Sequence, residues 1–172
     1  PNLPSRGRFS PFLFKGTTFS SGGYSAEYGQ ALSAALILET QDLAPKTLTS
    51  ISLMSVGLGA NHSHRWENAS LQFGLDYTDL APYQALFPNQ IDWNRSPHGY
   101  NGQLVYRLAP NPGQMLKVQA NLQFQSMDFA YRSAENNNDQ DRLQLQDQFQ
   151  TISASWEQGL GDAWRLYLGQ SY

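Results

Sequence analysis

The chain has 172 residues, with 11 Lys+Arg against 14 Asp+Glu and a formal charge of −3. That length allows one domain with a real core, and a mildly acidic chain without a basic stripe is excluded as a phosphate-neutralising nucleic-acid binder. The absence of cysteine excludes disulfides, thiolate zinc sites and cysteine nucleophiles together.

Charged residues are only 15% of the chain, against roughly 25% in ordinary soluble domains. Polarity is carried instead by Gln, Asn, Ser and Thr, and aromatics reach 13%. This mixture suits a surface with lipid on one side and water on the other. The longest apolar run, Ala34 to Leu38, falls far short of the ~20 residues of a spanning helix. The chain starts at Pro1 without a signal-peptide pattern and stops inside an apparent strand at Tyr172, which reads as an internal fragment.

In chain order, Pro1, Pro4, Pro11 and the pair Gly22-Gly23 predict loop or short-strand material rather than helix up to Gly29. Ala31 to Thr40 is an apolar stretch whose pattern fits either a buried strand or a short helix. After Pro45, period-two alternation takes over. Leu48, Met54, Val56 and Leu58 give a weak version. Ala69, Leu71, Phe73, Leu75 and Tyr77 alternate with Ser70, Gln72, Gly74 and Asp76. Leu104, Tyr106 and Leu108 follow, with Val105 out of phase. The clearest run is Leu116, Val118, Ala120, Leu122 and Phe124 against Lys117, Gln119, Asn121, Gln123 and Gln125. Ile152, Ala154 and Trp156, then Trp164, Leu166 and Leu168, complete about six strands, each with one oily face and one wet, uncharged face.

Either of two architectures produces this alternation: a soluble sandwich that buries the oily face, or a membrane barrel that turns it to lipid. Segments of about ten residues, an amide-rich polar face, and aromatics near strand ends (Tyr77, Tyr83, Trp93, Tyr100, Phe129, Tyr131, Trp156 and Trp164) favour the barrel.

The segment Gly22 to Thr40, with Ser25-Ala26-Glu27-Tyr28-Gly29 before Ala31 to Thr40, resembles the end of the plug in TonB-dependent outer-membrane receptors. Arg8 to Gly16 resembles the preceding plug segment of Bacteroidetes-type members. Gln41 stands where a Lys commonly follows the closing Thr. The resemblance implies an all-β chain: residues 1–42 as the C-terminal part of a plug domain and residues 43–172 as the first strands of an antiparallel transmembrane β-barrel. The complete protein would have about 22 strands around a plugged lumen and sit in the outer membrane of a Gram-negative bacterium. It would import a bulky, scarce ligand by engaging a TonB complex through a segment outside this sequence.

The resemblance also implies structural roles for Gly22, Gly23, Ala26, Glu27, Tyr28 and Gly29, with Glu27 expected to pair with a lumen arginine. It implies no cofactor and no catalysis. Trp93, with Tyr83, Phe87 and Tyr100, lies in the longest connector and is the candidate platform for a flat ligand face, set against a girdle or loop-packing role.

Other chemistry is thin. His62 and His64 share a face if they lie in a strand, although Asn61 to Arg65 reads as a solvated turn. Glu135, Asp139 and Asp141 lack a calcium-loop pattern, and nothing puts Glu157 and Asp162 in a cleft. The rival readings are a soluble β-sandwich binding carbohydrate and a plugless porin or adhesin barrel. One feature conflicts with the receptor reading. With six strands, the long connectors near 79–97 and 132–141 would make the first strand run the wrong way from a periplasmic plug, unless a strand is hidden between Leu43 and Glu67.

Overall fold

A computed structural model describes residues 14–23, 34–40, 42–87, 91–132, 140–161 and 163–172. Among the described residues the fold is all-β with one short helix. The chain divides into two compact units, Pro1–Asp42 and Leu43–Tyr172.

In the first unit, β1 (Phe14–Ser20) and β2 (Ala35–Thr40) form an antiparallel pair, with Phe19 opposite Leu36 and Ser20 opposite Ala35. The apolar run that fitted strand or helix is therefore a strand over Ala35–Thr40, its first three residues lying outside the described ones. Ser20 Oγ donates to the carbonyl of Gly22 at 2.8 Å, and Gly23 adopts φ +68, a conformation that favours glycine.

The second unit is one antiparallel sheet of seven strands in sequence order: β3 (Leu48–Met54), β4 (Gly57–Arg65), β5 (Ala69–Asp79), β6 (Asp92–Leu108), β7 (Gln114–Arg132), β8 (Gln140–Leu160) and β9 (Trp164–Ser171). Helix α1 (Ala81–Leu86) lies between β5 and β6. The sheet is open, with β3 and β9 at its edges. Among the described residues, no helix is long and apolar enough to cross a membrane, which says nothing of strands.

The region read as one weak strand over 48–58 is two strands, β3 and β4, joined at Ser55-Val56. This hidden strand removes the conflict over direction. The strand ends facing each other across the short β4–β5, β6–β7 and β8–β9 junctions lie at one end of the sheet, and those across the long β5–β6 and β7–β8 junctions lie at the other. The Ser55-Val56 turn sits at the long-connector end, where the Asp79 amide donates to the Val56 carbonyl at 2.8 Å. Thus β3 starts at the short-connector end and runs toward the long one.

Cross-strand partners share a face, so the register fixes what each face carries. One face holds Ile51 and Leu53 on β3, Leu58 and Ala60 on β4, and Leu71 to Tyr77 at alternate positions on β5. It continues through Tyr100, Leu104 and Tyr106, Leu116 to Phe124, then Ile152 to Trp156 and Trp164 to Leu168. The phase inferred from Leu48 and Met54 was therefore inverted: both pair with polar-face positions, Ser63 and Gly57.

The sheet buries its polar face. Ser70 and Arg107 are both 0% exposed, and Asn121 and Gln123 are buried, whereas Leu53 is 84% and Leu75 63% exposed. The Arg107 guanidinium donates to Gln72. The Ala44 amide donates to Ser70 Oγ at 3.0 Å, which seats the lead-in to β3 on the polar face. Val105, the apolar residue out of phase, belongs to this face and is buried there.

Candidate functional site

The apolar face has two borders. Toward the long connectors it ends at a row of aromatics: Tyr77 and Tyr100 have ring centroids 5.1 Å apart, and Tyr100 and Phe124 6.4 Å. Beyond that row the same face turns polar, with His98, Ser126 and Gln146 in register, followed by Asp128 and Gln144. Toward the short connectors stand Trp156 and Trp164, and Trp66 packs edge-on against His64 at 4.4 Å.

The border runs obliquely to the strands. The hydrogen-bonded row Ile51–Ala60–Leu75–Gly102–Leu122–Gln150 begins in the middle of the apolar band on β3 and has left it at β8. From β3 to β9 the centre of the band drifts by roughly nine residues over six strand-to-strand steps. At about 3.3 Å per residue and about 4.8 Å between strands, a slab with parallel borders would cross the strands at about 45°.

The polar face changes character in the opposite sense. Through mid-wall it carries Asn61, Gln72, Asn101, Gln103, Gln119, Asn121, Gln123 and Gln125. Past Gln125, toward the long connectors, it becomes apolar and aromatic: Met127, Phe129 and Tyr131 on β7 stand opposite Leu145, Leu143 and Asp141 on β8. Trp93 pairs with Phe129 at a ring distance of 5.1 Å, and Phe129 lies 6.0 Å from Tyr131. Phe129 is 5% exposed, so Trp93 and Tyr131 carry the accessible part of this aromatic row.

The four aromatics grouped from the sequence are therefore not one platform. Trp93 and Tyr100 are both in β6, not in a connector, and lie on opposite faces of the sheet. Tyr83 is on α1, its ring 5.0 Å from Phe87, and α1 is tied to β6 by a Ser96 hydroxyl bond to Gln84. Phe129 and Tyr131 are the partners that sequence reading left out of the platform. Their signal was present as a switch of phase, since odd positions on β7 are amides from Gln119 to Gln125 and apolar from Met127 onward.

Of the plug-end residues, Gly22 and Gly23 follow β1 and are exposed. Ala26, Glu27, Tyr28 and Gly29 lie outside the described residues, as do Glu135, Asp139 and Asp162. His62 and His64 are in β4 rather than in a solvated turn. They share the apolar-band face with rings 6.2 Å apart, and His62 Nδ1 is 2.8 Å from Thr49 Oγ1. Among the described residues no group of three or more potential metal ligands forms. Glu157 pairs with Arg165 at 3.2 Å.

Where the outward face turns polar, Arg142 donates to Asp128 through Nε at 2.9 Å and Nη2 at 2.5 Å, and Asn94 adds a third bond at 3.3 Å. The Arg142 hydrogen bonds outweigh desolvation and hold the Asp128 carboxyl at about 2, against an ordinary 3.8. A carboxyl depressed on folding stabilises the folded state fully only above its unfolded value, and that contribution is lost as pH falls through the folded one. The denaturation midpoint should therefore drop between pH 3.8 and about 2. Asp128→Asn should flatten this part of the profile, as a urea titration across that range will show.

No family model matches this sequence, and no curated protein or solved structure matches it.

Proposed function

We propose that this chain is the closing part of a plug domain followed by the first seven wall strands of a TonB-dependent outer-membrane receptor, a binding and transport protein rather than an enzyme. The observation that carries this reading is the inverted sheet, which buries amides and an arginine on one face and exposes a broad apolar band on the other. Water penalises such an arrangement, since about 25 cal/mol is forgone for each Å² of apolar surface left wet. Lipid does not. The oblique band supports it as well, because barrel strands tilt by about 35–45° to the membrane normal.

Direction adds further support. Outer-membrane barrels place short turns on the periplasmic side and long loops outside. A first strand leaving a periplasmic plug should start at the short-turn side, and β3 does. The resemblance of Gly22 to Thr40 to a plug end, ahead of that strand in the sequence, supports the same family. The ligand would be taken up from outside and released into the lumen on engagement of TonB, whose contact segment is not in this sequence.

A soluble carbohydrate-binding sandwich would need a second wide sheet over the apolar face. The other sheet here has two short strands. The expected behaviour of the complete protein is recovery in the outer-membrane fraction, extraction only with detergent, and slower gel migration after boiling. A monomer that stays soluble in plain buffer would reject the barrel.

A further inference from the structure

Resting on the receptor reading, we infer that the ligand of this wall is a neutral, hydroxyl-rich oligosaccharide, bound along the polar face from the Trp93–Phe129–Tyr131 row to the amides of mid-wall. Two separate observations converge on this chemistry.

The first is the aromatic row. Trp93, Phe129 and Tyr131 form a row of rings on the polar face, tilted 52° and 45° to one another. With Phe129 buried, the Trp93 and Tyr131 rings each offer the apolar contact that the C–H face of a sugar ring uses. The second is a pair of orphaned acceptors. Among the described residues, the Oε1 atoms of Gln103 and Gln123 are buried without a hydrogen-bond partner, and Gln123 is only 6% exposed. A buried acceptor left without a donor costs free energy. Hydroxyl groups are donors that could satisfy both.

The two features lie on the same face of β7, from Gln123 to Phe129, roughly 20 Å apart along the strand, so the ligand that touches both is an oligomer. Charge narrows the class further. Between Gln119 and Gln125 the facing residues are Val105, Gln103, Asn101 and Gly99 on β6 and Ser153, Thr151, Phe149 and Asp147 on β8, with Asp76 opposite Asn101. An anionic chelate or a phosphorylated ligand would meet those two carboxylates, whereas the cations of this face, Arg107 and Lys117, stand opposite each other toward the short connectors, with Arg107 0% exposed and donating to Gln72.

The complete protein, purified in detergent, should bind at least one member of an array of neutral oligosaccharides, measured by calorimetry, and should not bind ferric citrate. Trp93→Ala should weaken that binding by about tenfold or more. Trp93→Phe should retain most of it, which separates lost stacking from misfolding. Gln123→Leu should also weaken binding, whereas Tyr100→Ala, on the opposite face, should leave it unchanged. No binding across the array, or full affinity in Trp93→Ala, would overturn the inference. Failure of the receptor reading is distinguishable: a protein soluble without detergent that still binds glycans loses the barrel and keeps the ligand, and a detergent-dependent one that binds none does the reverse.

Discussion

Leu122→Arg is expected to cost about 2–4 kcal/mol of folding free energy in a bilayer. Leu122 lies one outward-facing position from the middle of the apolar band on β7 (Leu116 to Phe124), opposite Gly102 on one side and Gln150 on the other, and it is 51% exposed. An arginine there would have to leave water for hydrocarbon or bend its neighbours to reach the interface. Gln119→Lys, one face over on the same strand, should cost far less, because its neighbours Val105 and Ser153 line a face that already accommodates Lys117 and Arg107. Urea titration of the complete protein folded into vesicles would measure both. Equal costs for the two variants would mean that the faces have been assigned wrongly.

Gly99→Val is the second large effect. A Cβ at this position would sit 2.6 Å from the Phe124 carbonyl oxygen and 3.2 Å from Gln125 Cγ. The first of these neighbours is backbone within the β6–β7 ladder, so it can move only by opening the pairing of Gly99 with Gln125. Overpacking of this kind costs about 1–3 kcal/mol. The same titration should show it as a lowered midpoint, with Gly102→Ala as the comparison, since there the nearest atom is a flexible Leu75 methyl at 3.5 Å.

How much of this was legible in the sequence follows from the period of the side chains. Ala69 to Tyr77 and Leu116 to Phe124 could be read directly, because each keeps one phase from end to end. The turn at Ser55-Val56 was hidden because a lone Ser beside Val56, without Gly, Pro, Asn or Asp at either turn position, is a weak signal, so two strands looked like one of poor phase. The first half of β6 was taken for a connector because Asn94, Ser96, Pro97 and Gly99 all look like loop residues. Pro97 is tolerated there because it falls in a register shift between Arg95 and His98, where the ladder does not need its missing N–H.

The first half of β8 was missed for a different reason. Gln144, Gln146 and Gln148 continue the face of Ile152 and Trp156, while Leu143, Leu145 and Phe149 fall on the other. A strand that crosses from lipid level into a watery region reverses which face is oily, and a search for one continuous stripe ends at the crossing. The same reversal separates Trp93 from Tyr100, which closeness in sequence had grouped. Position along the chain carries no information about faces once bulges intervene.

The most direct test of the central claim, that the apolar face meets lipid, exploits the absence of cysteine. Single cysteines placed from Leu116 to Tyr131 in the complete protein would each be spin-labelled in vesicles and probed with oxygen and with a water-soluble nickel chelate. The account predicts oxygen accessibility without nickel accessibility at even positions from 116 to 124, and loss of that oxygen accessibility at Ser126 and Asp128, which are buried where the face turns polar. Even positions closed to both reagents throughout would mean that protein covers the face, and would contradict it.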